Sequence, residues 1–163
     1  MVIVGYQGIG KSTLAKNANG FIDLESSNFF INGVRSPDWY VPYCKIALNL
    51  SAQGYDVFVS SHEVVRNYLA NGHKHETLVI CPSKSLKHEW IKKLEDRYNS
   101  TGLEKDYKAW KNAEHRYDEN IDEILHQEGL SNFIIIRDMN YDLKERIGEF
   151  KEFRENCNNG NQV

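Results

Sequence analysis

The sequence predicts an α/β protein built on a five-stranded parallel sheet with helices on its faces. Three observations carry that expectation. Short apolar runs recur five times along the 163 residues. Helical periodicity fills most of the intervals between them. The first run enters a glycine-bounded octet, Gly5-Tyr6-Gln7-Gly8-Ile9-Gly10-Lys11-Ser12, which requires a strand before it and a helix after it.

Val2-Ile3-Val4 has the continuous apolar character of a strand covered on both faces. Ser12 to Lys16 suits a first helical turn, and Asn-Ala-Asn-Gly at 17–20 closes a short helix. Phe21-Ile22-Asp23 reads as a second strand ending in an acid. A polar stretch through Glu25, Ser26, Ser27 and Asn28 leads to an irregular segment ending at Ser36-Pro37-Asp38. Trp39 to Ala52 is expected to be a buried helix, with Pro42 tolerated in its first turn.

Asp56 to Ser60 is the third strand, and a helix runs from Ser61-His62-Glu63 to Asn71-Gly72. Thr77 to Cys81 is the fourth. Ser83 or Ser85 then caps a helix with Leu86, Trp90, Ile91 and Leu94 on one side and Lys87, Lys92 and Lys93 on a solvated face. Asn99-Ser100-Thr101-Gly102 should break it. Leu103, Tyr107, Trp110, Tyr117, Ile121 and Ile124 recur every three or four residues and predict one long amphipathic helix. Phe133 to Ile136 is the fifth strand, and Leu143 to Phe153 a last helix. The expected organisation is one domain over 1–155 with a polar tail at 156–163.

Composition narrows the function. Hydrophobic content of 40% and charge of 26% are those of an ordinary globular chain, and the only N-terminal apolar run is too short for a signal peptide or membrane span. Cys44, Cys81 and Cys157 are odd in number and lack a C-x-x-C spacing, which favours a reducing cytoplasm over a disulfide or zinc framework. Net charge is −3, without the basic surplus of a generalist nucleic-acid binder. Lys84 to Arg116 nevertheless holds nine Lys/Arg against six Asp/Glu, so a modest positive charge is concentrated there. His73-Lys74-His75-Glu76 has no further ligand nearby in sequence and reads as a polar loop, not a metal site.

The octet matches G-x-x-x-x-G-K-[ST]. Its glycines let backbone N–H groups curl around an anion, and the helix adds its positive end. Lys11 is of the type that reaches β- and γ-phosphates, and the Ser12 hydroxyl of the type that ligates Mg²⁺. Gly8, Ile9, Gly10, Lys11, Ser12 and Thr13 are the candidate ATP-binding residues. In an open α/β sheet the remaining candidates follow the strand ends. Asp23, Glu25 and Ser26 lie after the second strand, and Ser60, Ser61, His62, Glu63 and Arg66 after the third. His62 can cap the following helix or contact a bound phosphate, and Arg66 lies one helical turn beyond it. Tyr107 and Trp110 can serve lid packing or base stacking.

GYQGIGKST, the acidic D-x-E after the second strand and the basic segment after the fourth resemble the small P-loop kinases. These are the nucleotide kinases and their shikimate-kinase-like and polynucleotide-kinase-like relatives. DLESSNF with FVSSHEVVR is also similar to small kinase-like proteins of phage and gut bacteria. The topological resemblance covers most of the chain, and only the loop motif is highly specific. It implies a P-loop NTPase three-layer sandwich with a helical lid at about 97–116.

It further implies an ATP-dependent phosphotransferase acting on a small acceptor, a nucleoside or nucleotide, with Mg²⁺ held by Ser12 and Asp23. Asp23 would be the base or the anchor of a metal-bound water, and Glu25 the second acid of the pattern. Ser61, His62 and Arg66 would contact the acceptor, and Arg97 and Arg116 would stabilise the transferring phosphoryl group. The pattern lacks a Walker-B aspartate at Ser60-Ser61, a G-F-P-R turn and a close arginine pair. Two other readings use the same loop: a kinase acting on a DNA or RNA hydroxyl, and a regulatory ATPase or ATP-binding module.

Overall fold

A computed structural model describes residues 1–160, with side chains to residue 159. Five parallel strands form one sheet in the order β2-β3-β1-β4-β5. They are β1 (Val2–Gly5), β2 (Phe21–Asp23), β3 (Asp56–Ser60), β4 (Thr77–Pro82) and β5 (Phe133–Ile136). Six helices accompany them: α1 (Lys11–Asn17), α2 (Tyr40–Ala52), α3 (Glu63–Ala70), α4 (Lys87–Thr101), α5 (Glu104–Leu125) and α6 (Leu143–Gly160).

The apolar runs are strands because no other element hides them so completely. Val2, Ile3, Val4, Val57, Phe58 and Val59 are wholly buried. Each such side chain contributes about 1.5–3 kcal/mol relative to exposure. The register aligns Gly5 with Ser60 on one side, so β1 and β3 end at the same level, and with Ile80 on the other, two residues before β4 ends at Pro82. β1 sits in the centre and connects toward β2, whereas its neighbours β3 and β4 connect the other way. Right-handed crossovers then send the helices after β1 and after β3 and β4 to opposite faces. The crevice this leaves lies at the carboxyl end of β1.

Several element ends differ from expectation. A 3-10 turn at Lys84–Leu86, capped by Ser83 Oγ accepting from Ser85 N at 3.2 Å, precedes α4. The α4 helix runs on through Asn99, Ser100 and Thr101 and stops at Gly102, whose φ of 63° is left-handed. α6 continues past Phe153 to Gly160, so the tail expected from residue 156 begins as helix; residues 161–163 lie outside the described part. The α5 helix buries Tyr117, Ile121 and Ile124 as their spacing suggests, but its N-terminal half turns a different face inward. Asp106, Ala109, Ala113, Tyr117, Ile121 and Ile124 face inward, while Leu103 and Tyr107 are exposed. Small alanines let α5 approach its neighbours where the aromatics would not fit.

Candidate functional site

The octet forms a loop at the end of β1 that spends its carbonyls and spares its amides. Lys11 Nζ donates to Gly5 O at 3.0 Å and Tyr6 O at 3.2 Å. Trp90 Nε1 donates to Gln7 O, and Tyr141 Oη to Ile9 O, both at 2.9 Å. Among the described residues no protein acceptor takes the N–H groups of Gly8, Gly10, Lys11, Ser12 or Thr13. Backbone donors left unspent at one spot require water or a ligand. Converging N–H groups at a helix start favour an anion.

Glycine is required at two places for different reasons. Gly8 has φ 85°, and a Cβ there would lie 3.0 Å from Leu94 Cδ2 and 3.2 Å from Trp90 Nε1. At Gly5 a Cβ would lie 2.7 Å from both Ile9 Cδ1 and Lys11 Cδ, so its absence makes room for the lysine stem to fold over the loop. Burial pushes the Lys11 ammonium down to about 8, against the pull of Asp23 and Glu25; Arg97 adds to the lowering. Those groups therefore share one electrostatic neighbourhood. Ser12 Oγ donates to Asp23 Oδ2 at 2.5 Å, which joins the start of α1 to the end of β2. Tyr43 Oη ties the same strand end to β3: it donates to Leu24 O at 2.7 Å and accepts from Ser60 N at 2.8 Å.

A cleft of about 1080 Å³ opens over the loop. Residues 7–14 form its floor, Asp23 to Ser26 with Ser60 one side, and Lys93, Arg97 and Lys105 from α4 and α5 the other. A smaller cavity of about 400 Å³ lies between β5 and α6, away from the loop. Lys105 Nζ reaches across the large cleft to within 3.6 Å of Glu25 Oε1. Gln7 Nε2 donates to Ala109 O at 2.9 Å, so the loop also touches α5 directly.

Of the residues singled out in the sequence, Gly8, Ile9, Gly10, Lys11, Ser12, Thr13, Asp23, Glu25 and Arg97 all line this cleft. Arg97 is also paired with the buried carboxylate of Asp106, which accepts from Thr101 Oγ1 at 2.6 Å.

The others are placed elsewhere. Arg116 is not brought to the loop: its guanidinium holds Glu119 at 2.8 Å and Glu123 at 3.0 Å, at a non-helical kink of α5 with φ −133°. Arg66 does not face the cleft either. It is buried, donating to Gln127 Oε1 at 3.1 Å and to Ser61 O, and so ties α3 to the turn after α5. Ser61, whose carbonyl accepts that bond, is not among the residues lining the cleft. His62 packs on Trp39 with ring centroids 5.4 Å apart and has Nδ1 2.8 Å from Ser60 Oγ. Burial, then Arg35 and Arg66, hold its pKa below the ordinary value, which keeps it neutral. Spacing correctly put Arg66 one turn after His62, but Arg66 turns into the core while His62 stays at the surface.

Five residues used in this site are not candidates from sequence: Gln7, Trp90, Lys93, Lys105 and Tyr141. Lys93 was assigned to a solvated face, yet its position between Trp90 and Leu94 marked the border of the apolar stripe. Trp90 and Tyr141 bind loop carbonyls that local sequence cannot associate with them.

Among the described residues, no three His, Cys, Asp or Glu side chains cluster so as to hold a metal ion by themselves. None of the helices described is long and apolar enough to cross a membrane. Fold and site together define an α/β sandwich with a glycine-rich loop, its amides largely without protein acceptors among the described residues, at the turning point of its sheet. No family model and no curated protein matches the chain.

Proposed function

We propose that the protein is an ATP-dependent phosphotransferase of the nucleoside or nucleotide kinase type, with the octet as its P-loop. One observation carries the reading: the loop ties Gly5, Tyr6, Gln7 and Ile9 carbonyls inward and leaves five successive-zone N–H groups free beside Lys11. A neutral ligand would gain little from that arrangement. A polyphosphate satisfies both the amides and the ammonium.

Mg²⁺ fits the donor set. Ser12 Oγ and Asp23 Oδ2 are hard oxygens 2.5 Å apart in the cleft, and Mg²⁺ is commonly held by one or two protein oxygens together with phosphate and water. When bound, the ion would neutralise phosphate charge and hold the transferring group in line. The chain's own residues do the rest. Lys11 exchanges two carbonyl bonds for phosphate oxygens, becoming more basic as it does so. Asp23 would accept the acceptor's hydroxyl proton or help Ser12 hold the Mg²⁺. Arg97, steadied by Asp106, meets charge developing on the transferred group, a role in which one donor is worth roughly 10²–10³ in rate. Glu25, Ser26 and Ser60 offer hydrogen bonds to the acceptor on the far side of Asp23. The exposed tip of the α4–α5 hairpin closes over both substrates as a lid. Free thiols at Cys44, Cys81 and Cys157 suit the cytoplasm as the site of this activity.

The test is transfer from labelled ATP to a panel of nucleosides, nucleotides and short oligonucleotides. Phosphorylation of a nucleoside or nucleotide is expected, and Lys11→Ala should abolish it in a protein that folds normally. Phosphate appearing on an oligonucleotide hydroxyl would instead make this a nucleic-acid kinase. ATP hydrolysis indifferent to every acceptor would leave a binding module or ATPase, and turnover unchanged in Lys11→Ala would remove the P-loop assignment.

A further inference from the structure

We propose that Lys93 is a second phosphate-binding lysine of the cleft, contacting the oxygens of the polyphosphate that the glycine loop holds. This rests on the reading just given and adds a residue outside the loop motif.

Lys93 differs from every other lysine of its run. Lys84 pairs with Asp122 at 2.5 Å, Lys87 with Asp118 at 2.5 Å and Lys92 with Asp96 at 2.7 Å. Among the described residues Lys93 has no carboxylate partner, yet it is half-buried and lines the cleft. An ammonium withdrawn from water without a counter-ion is costly unless another group stabilises it. Two rings supply part of that. Lys93 Nζ lies 4.5 Å from the Trp90 centroid and 5.2 Å from that of Tyr141, and 3.2 Å from Tyr141 Oη. Cation–π contact of this kind tolerates a charge without neutralising it.

The same rings are the ones that grip the loop. Trp90 and Tyr141 stack at 6.2 Å and 14°, and each donates 2.9 Å to a loop carbonyl, Gln7 O and Ile9 O. Lys93 is therefore carried on a clip whose other end fixes the phosphate loop. Its distance from the loop is set by two side chains packed in the same cluster. Arg97 follows one turn later on α4, and its like charge, after burial, helps hold the Lys93 pKa below the ordinary value. Arg97 has Asp106 to answer its charge, whereas Lys93 has no equivalent. A phosphate oxygen in the cleft would complete the set. Arg116, which the resemblance to P-loop kinases assigns to the transferring group along with Arg97, is engaged elsewhere.

The experiment compares Mg²⁺-supported binding of ATP, ADP and AMP to wild type, Lys93→Met, Lys93→Arg and Lys92→Met, with thermal unfolding of each. Methionine keeps the stem that packs on Trp90 and removes only the charge. Lys93→Met is expected to weaken ATP by roughly tenfold or more, the scale of a charge-assisted hydrogen bond, and AMP much less. Lys93→Arg should restore most of the ATP affinity, and Lys92→Met should match wild type. Equal loss across the three nucleotides, or a lower melting temperature with unchanged affinities, would mean that Lys93 only packs the clip, and the proposal fails while the P-loop reading stands. Wild type that binds no nucleotide would defeat both together.

Discussion

Lys11 is the residue whose charge the site uses and whose surroundings resist it. Its ordinary pKa is 10.5, and burial holds it at about 8. Between those values the unfolded chain keeps a proton that the folded chain has shed, so the folded state gains relative stability as pH rises. The ligand-free protein should therefore become more stable, relative to Lys11→Met, from about pH 8 upward, with the gain complete near the unfolded value. Polyphosphate binding needs the ammonium and should weaken over the same window. Melting temperatures and ADP titrations of both proteins across that range check the pair of effects; parallel curves for the two proteins would show that Lys11 is not the group titrating. Asp23 poses a different question, because an amide at that position can still accept from Ser12 Oγ. Asp23→Asn should bind ATP almost normally and transfer phosphate ~100-fold more slowly or worse, the usual scale for a positioned acid or base. Equal losses of binding and rate would identify it as a structural acid.

The α4–α5 hairpin is the element that decides the shape of the cleft, and a single buried acid holds its joint. Asp106 is only 2% exposed and receives both Arg97 and Thr101 Oγ1. Because the Arg97 side chain is 41% exposed, solvent screens much of the ion pair. Asp106→Ala should cost about 1–2 kcal/mol, below the figure for a fully buried pair, measured by urea unfolding. No change in the midpoint would mean that α4 and α5 are joined by packing alone. This joint also marks the limit of what sequence could reveal. The strands were legible because a continuous run such as Val2-Ile3-Val4 has one physical solution, burial on both faces. The loop was legible because its glycines, lysine and serine are contiguous. The face of α5 was not: Ala109 and Ala113 carry little hydrophobic signal, and their burial follows from close approach to neighbouring elements. Arg66 and Lys93 take their direction from Gln127 and Tyr141, whose proximity is a property of the finished fold, whereas Arg116 is held by Glu119 and Glu123 of its own helix.

The whole molecule brings its cleft together from five separated stretches: the loop, the end of β2, the end of β3, the α4–α5 hairpin and the segment after β5. Only some of these are anchored. Trp90 and Leu94 hold α4 to the loop, and Ala113, Tyr117 and Ile121 hold the distal part of α5 in the core. Between Leu94 and Ala113 the hairpin tip buries Asp106 and Ala109 but exposes Leu103 and Tyr107 and carries the solvent-facing pairs Lys108–Glu104 and Lys111–Glu114. Such pairs contribute little to local stability, so this is the part of the fold expected to open most readily. Among the described residues three contacts connect it to the opposite side, Gln7 with Ala109 and with Asn112, and Glu25 with Lys105. A polyphosphate bound between these walls adds charge that Lys93 and Arg97 can answer, and so should hold the tip closed. Hydrogen exchange with a non-hydrolysable ATP analogue and Mg²⁺ is then expected to gain protection across 97–116 as well as across 5–16. Protection confined to 5–16 would show a rigid hairpin that takes no part in closure, and it would move the function toward an ATP-binding module. Protection that appears across 97–116 with ATP analogue but not with AMP would tie closure to the phosphates, as a lid acting on the transferring group requires.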